Sequence, residues 1–522
     1  MIWTVGANKE HQSIGAAVTA ASTGDIIEVY GGVYHEAIVL STPGVAVVAA
    51  PGQTVTIDGR YSPALFGDGN YAMSNGRKVG AGQLPSLAAD NARRGGWVYS
   101  GQLNVNGYSS LVRLVGNGTA ITGLTLRNSP GRFIVIEGND CRAEDCRLDF
   151  CYGGAVSVAR GSSGAVVRGL TITRSSVKHF DTGAPGAGPD AVATTVIVQG
   201  TDALIEACTV CYNYGEGISA DKGSVRPIVR GNVIHTNYHW SLGLNYTDGA
   251  IIEGNVVYWC DNLVEAMGKS SPADGFVGGS ERASPENPKE ARTPDTAIVG
   301  NLFVGYLKRP WLLGGTSRPV QFVDSEVARN TIVGRVTPGK AGATFTWTAL
   351  KTAPHEGVTV RGNIIIWEPD TQGISYQAGG GVTWRDNLYS AQPPSGIRDG
   401  GDVVTREAVL ANPFTPIVGQ YDAYAPDMPD TATTFDIDNY RPLAGGAAVG
   451  RGALAVEPAE PPVEPDPTVE PEPDYEPVIA LLEGNLARLE AAGMALGAAV
   501  VETHELIDRL RMAAGYVEKE SK

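Results

Sequence analysis

Residues 227–262 read PIVRGNVIHTNYHWSLGLNYTDGAIIEGNVVYWCDN, and one phrase occurs in them twice. Ile228-Val229-Arg230-Gly231-Asn232-Val233-Ile234 returns as Ile251-Ile252-Glu253-Gly254-Asn255-Val256-Val257, with the two asparagines 23 positions apart. Each copy is a short apolar run, a Gly-Asn corner and a second short apolar run. Between the copies, Ser241-Leu242-Gly243-Leu244-Asn245 alternates apolar with small polar residues, which predicts a strand with Leu242 and Leu244 turned inward. Three short strands and three corners per repeat describe one coil of a parallel β-helix, an all-β solenoid.

The repeat reaches well beyond these copies. Corner positions fall upstream at Leu124, Cys146, Leu170 and Cys208, and downstream at Asn301, Asn330, Asn363 and Asn387. About half of the steps between them match one coil, and the longer ones read as a coil plus an inserted loop. Asn is expected at the corner because it tolerates a left-handed backbone and its amide can bond the coils above and below. Stacked in this way, Asn232, Asn255 and Asn363 form a ladder.

Composition narrows the function. The 522 residues include 67 Gly and carry a net charge of −16. No basic stripe is present to neutralise phosphates, which argues against a nucleic-acid partner. The start, MIWTVGANKEHQS, lacks the basic and apolar segments of a secretory signal, so synthesis in a cytoplasm is expected. No apolar run is long enough to span a membrane. Of six cysteines, Cys208 and Cys211 form a CxxC, but Cys146 and Cys208 sit in the corner register, where a buried free thiol is the expectation. No HExxH, second CxxC or phosphate loop is present, and neither metal nor cofactor is expected.

The ends are organised differently. Residues 1–22 read as an N-terminal segment with a capping helix over 13–22, Ser13 its N-cap, and the solenoid occupies 23–455. Residues 456–476 alternate Pro with acids and are expected to form a stiff linker. In 477–522, Ile479, Leu482, Leu486, Leu489, Gly493, Leu496, Val500, Thr503, Ile507, Leu510, Ala514 and Val517 advance by threes and fours. That heptad pattern predicts a coiled-coil helix that assembles the protein.

Two stretches carry a family resemblance. GDIIEVYGGVYHEAIVL (24–40) followed by TVTIDG (54–59) resembles the opening of right-handed parallel β-helix proteins of the pectate-lyase-like class. Ala411-Asn412-Pro413-Phe414 and FDIDNYRPLAGGAAVGRG (435–452) resemble its closing segment, with Gly446-Ala447 where that segment has Ser-Pro. The class includes polysaccharide lyases, glycoside hydrolases, epimerases and phage tailspikes, so the resemblance implies a fold and leaves the reaction open. With the missing signal and the assembling helix, it implies a phage-type spike or fibre. Such a protein would be made in the host cytoplasm, carried on the virion and directed at a cell-surface polysaccharide, with depolymerase activity as an option. Spikes of this fold resemble trimers, so a homotrimer is expected, with the C-terminal helix also a docking point for a virion protein. A non-catalytic adhesive protein and a bacterial lyase or hydrolase are the alternatives.

Three polar inserts, 62–108, 174–192 and 268–295, are expected to flank one sheet and make its outer face a groove floor. Alternation places Ser219, Asp221, Ser241, Asn245 and, two coils beyond Asp221, Glu265 on that face. Asp221 and Glu265 would then suit the carboxylate pair of an inverting glycosidase, with Asp190 as a further acid. For substrate, Ser219, Asn245 and His239 supply polar contacts, and Trp240, Tyr214 and Phe180 supply ring faces for sugars.

Overall fold

A computed structural model describes residues 1–59, 73–74, 77–78, 110–129, 131–176, 193–221, 223–263, 275–279, 292–305, 311–313, 320–335, 345–347, 355–368, 374–376, 380–390, 392–393, 397–421 and 427–454. Each pass of the chain lays one strand on each of three sheets. Ile228–Arg230 joins the first sheet, Val233–His235 the second and Leu242–Asn245 the third. Ile251–Glu253 then returns beside Ile228–Arg230, parallel and in register. Among the described residues the first and second sheets each collect 13 strands and the third nine. The architecture is a parallel β-helix.

The period-two pattern explains the interior. Val229, Ile234, Leu242, Leu244, Ile252 and Val257 are at most 2 % exposed and belong to one continuous core. Their neighbours in sequence face outward. A one-residue slip would exchange the two sets, so the hydrophobic pattern holds the register.

The asparagine ladder stands between the first and second sheets. The backbone N–H and side-chain amide of Asn232 both donate to Asn255 Oδ1, at 3.0 and 2.9 Å, and the amide also donates to Ile205 O. The pattern repeats through Asn301, Asn330 and Asn363 to Asn387, whose N–H ends on Asp402 Oδ1 at 2.7 Å. At the upstream end the N–H of Cys208 donates to Asn232. These amides are fully buried yet satisfied, which is the condition for tolerating them. One expectation is corrected here. The left-handed residue is the one before Asn, with φ near +61° at Gly231 and Gly254, so Asn is held for its amide alone.

The N-terminal end also departs from expectation. A strand, Ile2–Val5, precedes the helix and pairs with Ile26–Val29, so the first sheet begins before the helix. The helix is Ile14–Ala20, with the Ser13 hydroxyl accepting from the Ala16 N–H. Ile14 and Ala17 are its buried face, and it packs against Ile38–Leu40 and the first two strands of the first sheet. The linker and helix expected beyond residue 455 lie outside the described residues.

A second core sits on the outside of the second sheet. Cys211, Tyr258, Leu302, Val304, Val333, Ile364 and Ile366 point away from the solenoid axis and are covered by Val409, Leu410, Ile417 and Tyr440. Residues 405–421 and 427–454 run along this face as two antiparallel arms, bridged at Leu410–Pro442 and Gly419–Thr433. The outgoing arm is pinned by Thr415 O to Arg335 and by Ile417 to Asp261. Farther along, the Tyr421 and Tyr214 hydroxyls meet, and Asp427 O accepts from Arg174. On the return arm Phe435 stacks on Tyr258 with centroids 4.5 Å apart, and Gly452 N–H donates to Gly362 O.

Candidate functional site

The flanks of the inserts share one corner. The second sheet is left at Asp58, Thr173 and Tyr258, and the third is rejoined at Ser110, Thr194 and Phe276. Those third-sheet strands lie three apart in the sheet, and Glu216–Asp221 and Leu242–Asn245 stand between the last two. Insert 174–192 is shorter than expected, because Arg174, Ser175 and Ser176 are buried in the corner. Insert 268–295 is interrupted by two strands, Phe276–Gly279 and Arg292–Pro294. Insert 62–108 is described only at Met73–Ser74 and Arg77–Lys78, and apart from Gly275 and Asp295 the other residues of these inserts lie outside the described residues.

On the two framed strands, Ile218, Ala220, Leu242 and Leu244 face the core, so Ser219, Asp221, Gly243 and Asn245 face out. Ser219 pairs with Gly243 and Asp221 with Asn245 across adjacent strands. These outward polar residues were expected in solvent. Instead Ser219, Asp221 and Asn245 are 5, 6 and 8 % exposed, and Ser241 is fully buried.

Trp240 accounts for part of that cover. A Cβ on Gly243 would stand 2.6 Å from Ser219 Oγ and 3.0 Å from Trp240 Nε1. The bare glycine therefore leaves room for indole and hydroxyl over the strand. The indole N–H is buried without a hydrogen-bond partner among the described residues. The His239 ring lies against Trp240, centroids 4.1 Å apart at 53°, and its side chain is 35 % exposed. His239 Nδ1 is 3.7 Å from Glu216 Oε1, and the other oxygen of Glu216 meets the Thr194 hydroxyl. Two tilted rings, a carboxylate, a hydroxyl and the Asp221–Asn245 pair thus share one sheet face. Rings accept the C–H faces of a sugar and the polar groups accept or donate to its hydroxyls.

Other expected site residues fare differently. Tyr214 is 2 % exposed with its hydroxyl on Tyr421, which takes it off the outer face and into the core. Glu265, Asp190 and Phe180 lie outside the described residues. Two coils beyond Asp221, the place expected for Glu265 belongs to another residue. In register with Asp221 and Asn245 the third sheet carries Gly279, because its next strand is Phe276–Gly279. Thr194 and the Glu216–His239 contact were missed. Glu216 and His239 are separated by one coil length, the signal that could have found them. All six cysteines are buried free thiols, and burial pushes Cys146 and Cys208 up to about 12, which suits packing and not nucleophilic work.

Comparison with known proteins agrees with this architecture. The family profile described as "Right handed beta helix region" matches residues 110–274, so the solenoid is of the right-handed kind. No curated protein matches the sequence. Among solved structures the chain is similar to XylC in complex with xylose (12 % identity, TM-score 0.47, 81 % of this chain and 88 % of that one). It is also similar to PfbA, a surface adhesin of Streptococcus pneumoniae (10 %, 0.47, 72 % and 84 %). A third is the Dettilon tailspike protein (13 %, 0.39, 75 % and 63 %).

Proposed function

We propose that this β-helix binds a cell-surface polysaccharide along the outer face of its third sheet, as a phage-type spike or fibre protein. The observation that carries the reading is the His239–Trp240 ledge with Glu216 beside it, between the corners where the second and third inserts rejoin the sheet. Binding is favoured over hydrolysis by the spacing of the acids in place. Glu216 and Asp221 open and close one strand and are roughly 16 Å apart at the backbone. A glycosidase pair works at about 5–9.5 Å between carboxyls, so cleavage would need Asp221 to be joined by Asp190 or Glu265.

The test is incubation of the full chain with capsule and lipopolysaccharide preparations, following retention, new reducing ends and absorbance near 235 nm. Retention alone is expected. Trp240→Ala should weaken it by about tenfold, the loss of roughly 1.4 kcal/mol of ring stacking. Retention that Trp240→Ala leaves unchanged would remove the site from this face. Reducing ends without absorbance would establish a hydrolase, and Asp221→Asn should then slow it by about 100-fold. Reducing ends with absorbance would establish a lyase.

The reading extends to assembly. Residues 477–518 at heptad spacing would expose Leu482, Leu486, Leu489, Leu496, Ile507 and Leu510 on a lone helix. Each gains about 1.5–3 kcal/mol when buried. A trimer is expected by sedimentation of the full chain, and a monomer after truncation at Ala455. Monomers of both at concentrations well above micromolar would end the assembly role.

A further inference from the structure

The acids on the outer face of the third sheet bear on the class of sugar it takes. Glu216 opens one strand and Asp221 closes it, and both are largely covered. Glu216 accepts from the Thr194 hydroxyl and faces His239 Nδ1 at 3.7 Å. Asp221 stands in register with Asn245 on the next strand, roughly 4.8 Å away. An ionised carboxylate only accepts hydrogen bonds, so a ligand group that meets it must donate.

Cations stand at a distance from these two acids. Among the described residues the strands of the third sheet carry Arg113 and Arg132. Arg113 is four strands from Glu216, and its guanidinium donates to both oxygens of Glu137, at 2.9 and 2.7 Å. Arg132 is three strands away, roughly 14 Å at the backbone. Its Nη1 leans over Gly154, 2.7 Å from where a Cβ would stand. Arg160 follows the strand Val156–Val158, two strands from Asp221 and so roughly 10 Å off at the backbone. A proton taken up by His239 would bring a charge that Glu216 matches at 3.7 Å.

We infer that this face takes a neutral, hydroxyl-rich polysaccharide and turns away polymers of uronate or sulfated sugars, an inference that rests on the face being the polysaccharide site. Sugar hydroxyls donate to carboxylates in charge-assisted bonds about twice as strong as neutral ones. An ionised uronate or sulfate has no proton to give. It also adds like-charge repulsion, which the burial of Glu216 and Asp221 leaves poorly screened. Asp221 and Asn245 set an acceptor beside a donor, the complement of neighbouring ring hydroxyls that each give and take a hydrogen bond. The Trp240 ring meets the C–H face of a sugar and asks for no charge. The chain's net charge of −16 adds repulsion of polyanions at long range.

The test separates glycans released from capsule and lipopolysaccharide preparations into neutral and acidic fractions on an anion exchanger, then measures binding of each to the full chain. The neutral fraction is expected to bind, changing by less than about twofold between low and high salt. Glu216→Gln and Asp221→Asn keep the shape and lose the charge, and each should weaken that binding by about tenfold. Glu253→Gln, on the outer face of the first sheet, should leave it unchanged. Circular dichroism checks that each variant folds, and should one of the first two fail, the other carries the comparison. An acidic fraction that binds as tightly as the neutral one, or binding strengthened by either substitution, overturns the inference and leaves the polysaccharide reading standing. So does equal weakening by Glu253→Gln, which would mean general charge and no recognition at this face. Retention of neither fraction sinks the polysaccharide reading and the inference with it.

Discussion

Asp149→Ala is expected to cost about 3–5 kcal/mol of stability, because it takes a bidentate carboxylate from a buried cation. Arg174 is 1 % exposed and its guanidinium meets Asp149 twice, at 2.9 and 2.5 Å. Asp149 also accepts from the Thr173 hydroxyl at 2.8 Å. Burial alone would lower the Arg174 pKa, but the bond and charge of Asp149 outweigh it, so the group stays charged. Asp427 O also accepts from Arg174 and the Phe150 ring lies 5.8 Å from it, and both are neutral groups that do not replace a carboxylate. Asp202→Ala gives the contrast. It breaks the Arg226–Asp202 pair, whose two N–H···O bonds are both 2.7 Å long but whose side chains are 59 and 46 % exposed, so the loss should be far smaller. Urea unfolding of both variants measures the difference. Equal losses would mean that water reaches Arg174. Replacing the pair together, Asp149→Leu with Arg174→Met, should recover most of the stability.

Acid is expected to weaken the wild type more than His235→Phe, by about 3 kcal/mol at pH 4.5. His235 is fully buried on the outer face of the second sheet, stacked on Tyr258 at 4.6 Å and 4° and edge-on to Tyr212 at 5.1 Å. Burial lowers its pKa from 6.5 to about 3. The unfolded chain takes up the proton as pH falls through 6.5, and the folded chain does so only near 3. Between those values the unfolded state binds more protons, so the stabilisation, complete above 6.5, shrinks as pH falls. Over the whole window it amounts to about 5 kcal/mol. Phenylalanine keeps the stacked ring and removes the titration, while the carboxylates shared by both proteins cancel. Urea midpoints at pH 7.5 and 4.5 decide the matter, and parallel losses in the two proteins would refute it. Because the ring sits between the second sheet and the arms, release of the arms is the first step expected on protonation.

Much of the solenoid was legible because its rules are local. Inward Leu242 and Leu244 follow from alternation within five residues. The ladder follows from Gly-Asn recurring at one coil length, even though the conformational role belongs to the glycine. The site was legible only where rungs keep their length. Ser219, Asp221 and Asn245 lie on uninterrupted rungs, where alternation alone puts them on the outer face of the third sheet. Glu265 follows the next rung's corner, where an insert of unknown length intervenes, and counting by two from an unknown start puts residues on either face.

By itself, then, the sequence determined the three-strand coil, the inward set, the stacking corner and the N-cap at Ser13, all consequences of short-range periodicity and backbone sterics. Tertiary structure alone decided that the second sheet has a covered outer face. Cys211, His235 and Tyr258 alternate with Val210, Ile234 and Val257 as solvent-facing residues would, and nothing in their spacing shows that Ile417 and Phe435 return to bury them. It also decided that Glu216 meets His239 and that Tyr214 turns to Tyr421. Such contacts join residues tens to hundreds of positions apart, and they are set by how rungs stack and where the chain turns back, which hydrophobic period does not encode.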